Sequence, residues 1–405
     1  MSPDRRPWLA VMVAALGYFV DMFDLVMFSI LRIPSLRGIG VTDPEELARL
    51  GKHLLDMQLI GMLLGGFAFG AAGDRFGRTR TLYASIALYS TANLLNAFVT
   101  NVEAYAVLRA LAGFGLAGEL GAGITLVGEL LPTRLRGVGT TLVASVGLLG
   151  AVVAGATAEL LGWKTCYVLG GVLGFVLLAM RLGVAESGLF EQMAQSTAPR
   201  GNPLGLLWPS ERLVRFGCIV LSAMPIWFAT GVLFVFAPEL GRAMGLSEAI
   251  QPGRVIGFAY GGVVVGNFSS GWLSQVLRSR KRAIGAFLVA LAVSMLVFLE
   301  VAPLGPMPFY AMIFVVGAAT GYWSVFVTTA SELFGTNLRA TAATSAPNVV
   351  RGLAVPITSL WFALKPTLGV LPATRMLALG CCAIGLVCTL MLRETFHRDL
   401  DFTES

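Results

Sequence analysis

Glu129-Leu-Leu-Pro-Thr-Arg-Leu-Arg136 recurs as Glu332-Leu-Phe-Gly-Thr-Asn-Leu-Arg339, with five of eight positions identical and an offset of 203 residues in a chain of 405. A repeat at almost half the chain length marks two similar halves. Each copy follows an apolar stretch long enough to cross a bilayer. A weaker echo pairs Gly70-Ala-Ala-Gly-Asp74-Arg75-Phe-Gly77-Arg78 with Gly271-Trp-Leu-Ser-Gln275-Val-Leu-Arg278-Ser279. The duplicated unit is therefore a set of hydrophobic helices joined by short polar turns.

Composition agrees: 56% of the residues are hydrophobic, 13% are charged and the mean hydropathy is +0.78. Soluble domains carry about twice that charge density, so a water-soluble globular protein is excluded. Apolar runs fall at 8–31, 53–73, 81–100, 102–130, 138–161, 164–182, 214–238, 254–276, 283–302, 308–331, 341–363 and 373–392. At about 20 residues per crossing, these predict an all-α membrane protein of twelve transmembrane helices in two six-helix bundles, with no space for a soluble enzyme domain. The first run is too long for a signal-peptide core and predicts a span, not a cleaved leader. The longest polar interruption, rich in Pro199, Gly201 and Pro203, predicts a linker over 185–212 between halves 1–184 and 213–405.

Formal charge is +6. In a nucleic-acid binder this would form a basic surface with interleaved aromatics, but here the bases sit between apolar runs. With the N-terminus inside, 18 of the 29 basic residues, Arg181 among them, fall in cytoplasmic segments and nine, including Arg32, fall outside. That two-to-one bias predicts an inner-membrane protein with both termini cytoplasmic. The five cysteines lie in apolar stretches without metal-ligand or disulfide spacing, so no metal and no cofactor are expected.

Gly70-x-x-x-Asp74-Arg75-x-Gly77-Arg78, after the second run, resembles the signature loop of the major facilitator superfamily in both letters and position. Asp21-Met-Phe-Asp24 resembles the Asp-Gly-aromatic-Asp of its aromatic-acid symporters, with Met22 in place of glycine. Arg109-x-x-x-Gly113-x-Gly115-x-x-Gly118-Glu119 and Ala185-Glu186-Ser187 with Phe190 resemble motifs of the branch that holds sugar porters and metabolite or aromatic-acid/proton symporters. Arg393-Glu394-Thr395 is a weaker match to its tail motif. The resemblance implies two bundles rocking about a central site, which acts as a monomer in the lipid bilayer.

Charged side chains near a bilayer centre cost about 2.5–3.5 kcal/mol on insertion scales, and those retained face a cavity or a partner. Asp21 and Asp24 share one helix face by their spacing of three. Helical rise places them at a depth similar to Arg109, and Asp24 is expected to pair with Arg109. In proton-coupled sugar porters the matching pair carries the proton, so the resemblance implies proton coupling by Asp24, Asp21 and Arg109. The residues themselves equally allow a permanent ion pair fixing helix one to helix four. Glu119, ten residues further along, is either an inner proton station or a bond between helices.

Arg351 enters helix eleven to near the midplane, where transporters of duplicated halves bind substrate, and is the best anion anchor in the sequence. Its spacing from Arg339 and the following Gly352 resemble the metabolite symporters. Asn348 lies on the same face as a donor, and Pro347 and Pro356 open the backbone nearby. Trp227, Tyr260, Asn267, Tyr322 and Trp323 suit a cavity that contacts an apolar ligand body. Asn93 and Asn96 suit helix packing, and His53 and Asp56 open helix two near the outer face. By resemblance, Asp74, Arg75, Arg78, Glu129, Arg136, Glu332 and Arg339 form ionic gating latches at the cytoplasmic side.

The expected function is import of a small organic anion, such as an aromatic acid, together with protons. A sugar or polyol/proton symporter is the alternative, and a solute sensor that moves nothing is a third. An enzyme is not expected, because no nucleophile–base triad or metal cluster has recognisable spacing.

Overall fold

The computed structural model describes residues 6–76, 78–119, 133–181 and 208–396, and every regular element among them is helical. The first half contains α1 (Arg6–Gly38), α2 (Pro44–Phe76), α3 (Arg78–Asn96), α4 (Val102–Leu116), α5 (Thr133–Leu160) and α6 (Trp163–Arg181). The second opens with a broken span made of α7 (Ser210–Ser222), α8 (Met224–Phe228), a π turn (Ala229–Phe234) and α9 (Ala237–Ala243). Then come α10 (Pro252–Val276), α11 (Arg280–Val301), the split spans α12 (Pro306–Ala319) with α13 (Trp323–Glu332) and α14 (Thr336–Gly352) with α15 (Ala354–Leu368), and finally α16 (Val370–Met391). Together they form twelve spans in two six-span halves. Of the linker expected over 185–212, residues up to 207 lie outside the described residues.

The repeat is structural as well as textual. Thr133 opens α5 and Thr336 opens α14, so Arg136 and Arg339 are each the fourth residue of an equivalent span. An even number of spans puts the start of α1 and the end of α16 on one side of the bundle, called here the terminal side; the opposite side is the far side. Within its most apolar window α1 is 83% buried, against 33% for Trp163–Arg181 and 39% for both Arg280–Leu304 and Val370–Met391. The first span therefore lines the centre, while α6, α11 and α16 turn much of their surface to lipid.

Several spans expected to be continuous are broken, and polar side chains meet the backbone at the openings. Pro225 lacks the N–H that would continue α7, and the two arms meet at 42°. The Tyr322 hydroxyl donates to the carbonyl of Ser222 at this break (2.9 Å). At the α12–α13 break, Ser270 donates to the Gly321 carbonyl (2.8 Å) and Asn267 Oδ1 accepts the Ser324 N–H (3.1 Å). Ser85 likewise donates to the Gly115 carbonyl at the end of α4 (2.6 Å). In a membrane every opened backbone group needs such an internal partner, which explains polar side chains inside these apolar helices.

The halves meet where α5 packs along α10 and where α2 lies against α14 and α15. Among the described residues, two ion pairs cross between them on the far side. Arg254–Glu159 (3.5 Å) has side chains 56% and 37% exposed and is worth about 0–1 kcal/mol. Arg32–Glu239 (2.8 Å) has side chains only 1% and 13% exposed, and removing one partner of such a buried pair costs about 3–5 kcal/mol. The second pair dominates. Arg32 is thus not the loop base its place after the first apolar run suggests, because α1 runs on to Gly38 and carries it inside. Arg181, expected in a cytoplasmic segment, is also buried at the last turn of α6. Setting both aside leaves the two-to-one charge bias intact.

Candidate functional site

Gly17, Asp21 and Asp24 follow one another at i, i+4 and i+7 on α1, one face covering about 10 Å of axis. Each marks one level of a polar ladder through the bundle. At the lowest level, a side chain on Gly17 would collide with the Arg181 guanidinium, which is ion-paired to Glu119 at 3.0 Å with both side chains buried. Glu119 therefore bonds helices in this conformation, with Arg181 as its partner.

One turn higher, Asp21 is fully buried and neither carboxylate oxygen has a hydrogen-bond partner among the described residues. Arg351, 1% exposed, approaches from the other half at the α14–α15 break, and its Nε and Nη1 are also without partners among the described residues. The Arg351 guanidinium is the opposite charge acting on Asp21, and Glu119 is the like charge. Arg351 also acts on Tyr18 and Tyr260, and Trp323 neighbours Tyr18. The structure thus gathers Asp21 and Tyr18 from the first half with Arg351, Tyr260 and Trp323 from the second. Burying charge without hydrogen bonds is costly, and this cluster holds charged groups whose hydrogen-bonding capacity is unmet among the described residues.

The upper level corrects the expected direct pairing of Asp24 with Arg109. Arg109 donates instead to Asn93 Oδ1 at 2.6 Å, and Asn93 also neighbours Asp24. Asn93 is therefore a member of the site and not merely a packing residue. The guanidinium carbon of Arg109 lies 5.8 Å from the Phe28 ring centre and 5.1 Å from that of Tyr167. Gly170 on α6 makes space for Asp24, since a β-carbon there would strike Oδ1.

The remaining candidates are distributed differently. Asn348 donates to the Thr344 carbonyl (3.1 Å) and, across the interface, to the Ala117 carbonyl (3.4 Å), leaving its own oxygen buried without a partner among the described residues. Asn267 and Tyr322 secure the broken spans, as described above, and are not brought to Arg351. Trp227 is buried in α8 within the apolar core. Asp56 is paired with Lys52 and lies near Thr358 of the other half, whose hydroxyl donates to the Ala354 carbonyl (2.8 Å).

On the terminal side, Glu332 accepts from Arg280 (Nη2 at 3.3 Å) and from the Thr395 hydroxyl (2.6 Å). This latch joins elements of one half and not the two halves. Glu129 lies outside the described residues, as do the side chains of Asp74, Arg75, Arg78, Arg136 and Arg339. Glu394 closes the same cluster, accepting the Ser279 hydroxyl and the backbone N–H groups of Arg280 (2.9 Å), Thr395 (2.9 Å) and Phe396 (3.0 Å). Burial pushes its carboxyl up, but these donors outweigh burial and hold it below the usual carboxylate range. Its contribution is therefore present above the unfolded-state value and is lost as pH falls through the lowered one. Glu394→Ala is expected to cost about 1–2 kcal/mol, read as a lower Tm of the detergent-solubilised protein at pH 7, with the difference shrinking at strongly acidic pH.

Sequence reasoning missed Arg181 and Tyr18 as members of the central site. Both had a signal: Arg181 falls within the sixth apolar run, and Tyr18 lies three residues before Asp21 on the same face. Glu239, Arg280 and the inward turn of Arg32 had none, because their partners are far away in the chain.

Comparison with known proteins agrees with this architecture. The chain is 26% identical over 384 residues to the niacin transporter NiaP of Acinetobacter baylyi, covering 85% of this chain and 84% of that one. It is 31% identical over 179 residues to the 4-hydroxybenzoate transporter PcaK of Pseudomonas aeruginosa, covering 43% of this chain and 39% of that one. Its fold matches the inward-open xylose transporter XylE from E. coli with a TM-score of 0.72 at 18% identity, covering 98% of each chain. The family model described as Major Facilitator Superfamily matches residues 14–359. Twelve spans in duplicated halves, a charged site on their shared axis and this match over most of the sequence establish the chain as an integral-membrane transporter, not an enzyme, belonging to the Major Facilitator Superfamily.

Proposed function

We propose that this transporter imports a small organic anion together with protons, with both termini in the cytoplasm. The observation that carries this is Arg351, a buried guanidinium whose Nε and Nη1 have no partner among the described residues, opposite a buried Asp21 of the other half whose oxygens have none among them either. A carboxylate fits an arginine fork bidentately and would supply acceptors to these N–H groups of Arg351. Tyr18, Tyr260 and Trp323 then meet an apolar or aromatic ligand body. The names of NiaP and PcaK, a niacin and a 4-hydroxybenzoate transporter, agree with such a ligand.

Charge balance gives the coupling. Before substrate binds, Arg351 offsets Asp21. Once the substrate carboxylate occupies Arg351, Asp21 loses that compensation and faces a second negative charge, which favours its protonation. The neutralised site then crosses between the two access states, and release of the anion on the inside returns the proton. Asp24, Asn93 and Arg109 form a second station further towards the far side. The membrane potential contributes about 2.3 kcal/mol per net charge per 100 mV, so a monoanion benefits from it only when more than one proton accompanies it. The two-to-one excess of basic residues supports the cytoplasmic assignment of the terminal side.

The test is proton uptake into proteoliposomes holding the purified protein after addition of aromatic acids, short carboxylates, sugar acids or neutral sugars. A rise confined to carboxylates is expected. A rise with neutral sugars alone would instead assign the chain to sugar/proton symport and remove the role given to Arg351.

A further inference from the structure

The clasp on the far side has features that a purely structural ion pair does not need. Nη2 of Arg32 in α1 donates to both oxygens of Glu239 in α9, at 2.8 and 3.1 Å, and to the Val235 carbonyl at 3.0 Å. Its guanidinium carbon lies 4.5 Å from the ring centre of Phe236. Val235 and Phe236 directly follow the π turn, where the seventh span leaves α-helical geometry. Such turns expose backbone carbonyls to side chains. The first span of one half is thereby held to the break in the seventh span of the other.

The surroundings are shaped around Arg32. A β-carbon at Gly51 of α2 would meet its side chain, at 2.6 Å from Cδ and 2.8 Å from Cγ. Phe236 packs against Trp361 and Phe362 of α15, with ring centres 5.4 and 5.2 Å away. Lys365 sits over the Phe362 ring at 3.8 Å and in the combined field of Glu239, Glu45 and Arg32. Glu239 is thus the acid shared by two cations, one on each half. Although Arg32 is 1% exposed, its Nε and Nη1 have no partners among the described residues. These N–H groups are buried while the pair is closed and would reach a second acceptor only once it parts.

We infer that the Arg32–Glu239 clasp is the outer gate, and that its opening transfers the Arg32 guanidinium to the carboxylate of an incoming substrate. When the halves part on the far side, Glu239 moves with α9 and Arg32 stays with α1. An arginine left in a mouth lined by aromatic rings takes the nearest planar anion, which the same rings contact through its body. The anion then passes down the face of α1 towards Arg351. The second step rests on the organic-anion substrate proposed above; the gate itself does not.

Membrane-impermeant maleimide labelling of Val235→Cys in right-side-out proteoliposomes tests both steps. Val235 is 2% exposed and all five native cysteines are buried and unpaired, so the closed protein should label slowly. Adding Glu239→Gln is expected to raise the rate about fivefold or more. The charge-swapped pair Arg32→Glu with Glu239→Arg should return it towards the parent value. An unchanged rate in Glu239→Gln, with the protein monodisperse, overturns the gate.

For the second step the probe is benzoate, with its neutral isostere benzamide as control. Benzoate should slow labelling of the Glu239→Gln protein at least twofold and lose this effect when Arg32→Gln is added, while benzamide should do nothing. Equal protection by both compounds, or protection that survives Arg32→Gln, overturns the anion station and leaves the gate standing. Failure of the proposed anion/proton symport is seen separately, in the proton-uptake panel.

Discussion

Arg351→Ala is expected to reduce kcat/KM for anion uptake by about 100-fold or more, while leaving the protein folded. A hydrogen bond to a charged group contributes about 1.5–3 kcal/mol, and every 1.4 kcal/mol is a factor of ten. A bidentate pair at a buried site therefore exceeds two decades. Arg351 has no ion-pair partner within hydrogen-bonding distance at Nε or Nη1 among the described residues, so its removal strands no bonded acceptor there and folding should survive. Arg351→Lys separates charge from geometry. Lysine keeps the cation but loses the planar fork, so uptake should fall about tenfold and binding should keep its preference for carboxylates over their amides. Retention of wild-type uptake in Arg351→Ala would remove the anion anchor from the proposal.

Asp21→Asn is expected to abolish accumulation against a gradient while sparing exchange. One pH unit is worth about 1.36 kcal/mol per proton, so a one-proton carrier holds about a tenfold substrate gradient per unit. With a permanently neutral side chain at position 21, that ratio should collapse to about one, although counterflow of labelled for unlabelled substrate continues. Asp24→Asn distinguishes the two acids. If Asp24 is the proton carrier, as the resemblance to sugar porters implies, it will show the same split and Asp21→Asn will not. Equal loss of accumulation and exchange in Asp24→Asn would identify its contact with the Asn93–Arg109 level as a permanent fastening between α1, α3 and α4.

The clasp and the central cluster differ in how they depend on access. In the proposed gate, Arg32 and Glu239 meet only when the far side is closed, whereas Arg351 and Asp21 face one another between the two halves. Ligand binding can shift such an equilibrium only through a difference in its affinity for the two states. A carboxylate that competes with Glu239 on the outside and with Asp21 at the centre has that difference at both places. The glycine at position 51 and the π turn before Val235 are then parts of one device, since both let a long side chain reach across the halves without displacing a helix.

Much of this was legible along the chain, for identifiable reasons. Hydrophobic runs report spans because a bilayer allows no unsatisfied backbone, and the repeated Glu-Leu-x-x-Thr-x-Leu-Arg reports the halves because duplication is written into the letters. Asp21, Asp24, Arg109 and Arg351 stand out because charge inside a membrane is expensive enough to need a reason. Sequence by itself therefore determined the number of spans, their division into two halves and the charged residues of the core. Which charges meet was decided by tertiary structure alone. Asn93 and not Asp24 receives Arg109, Arg181 turns inward to Glu119, Asn267 and Tyr322 repair broken helices, and Arg32 reaches a glutamate 207 residues away. Helical rise fixes a side chain's depth to within a turn, but partners lie on different helices. Their rotation about the helix axes and the positions of the breaks come from packing, which no local pattern encodes.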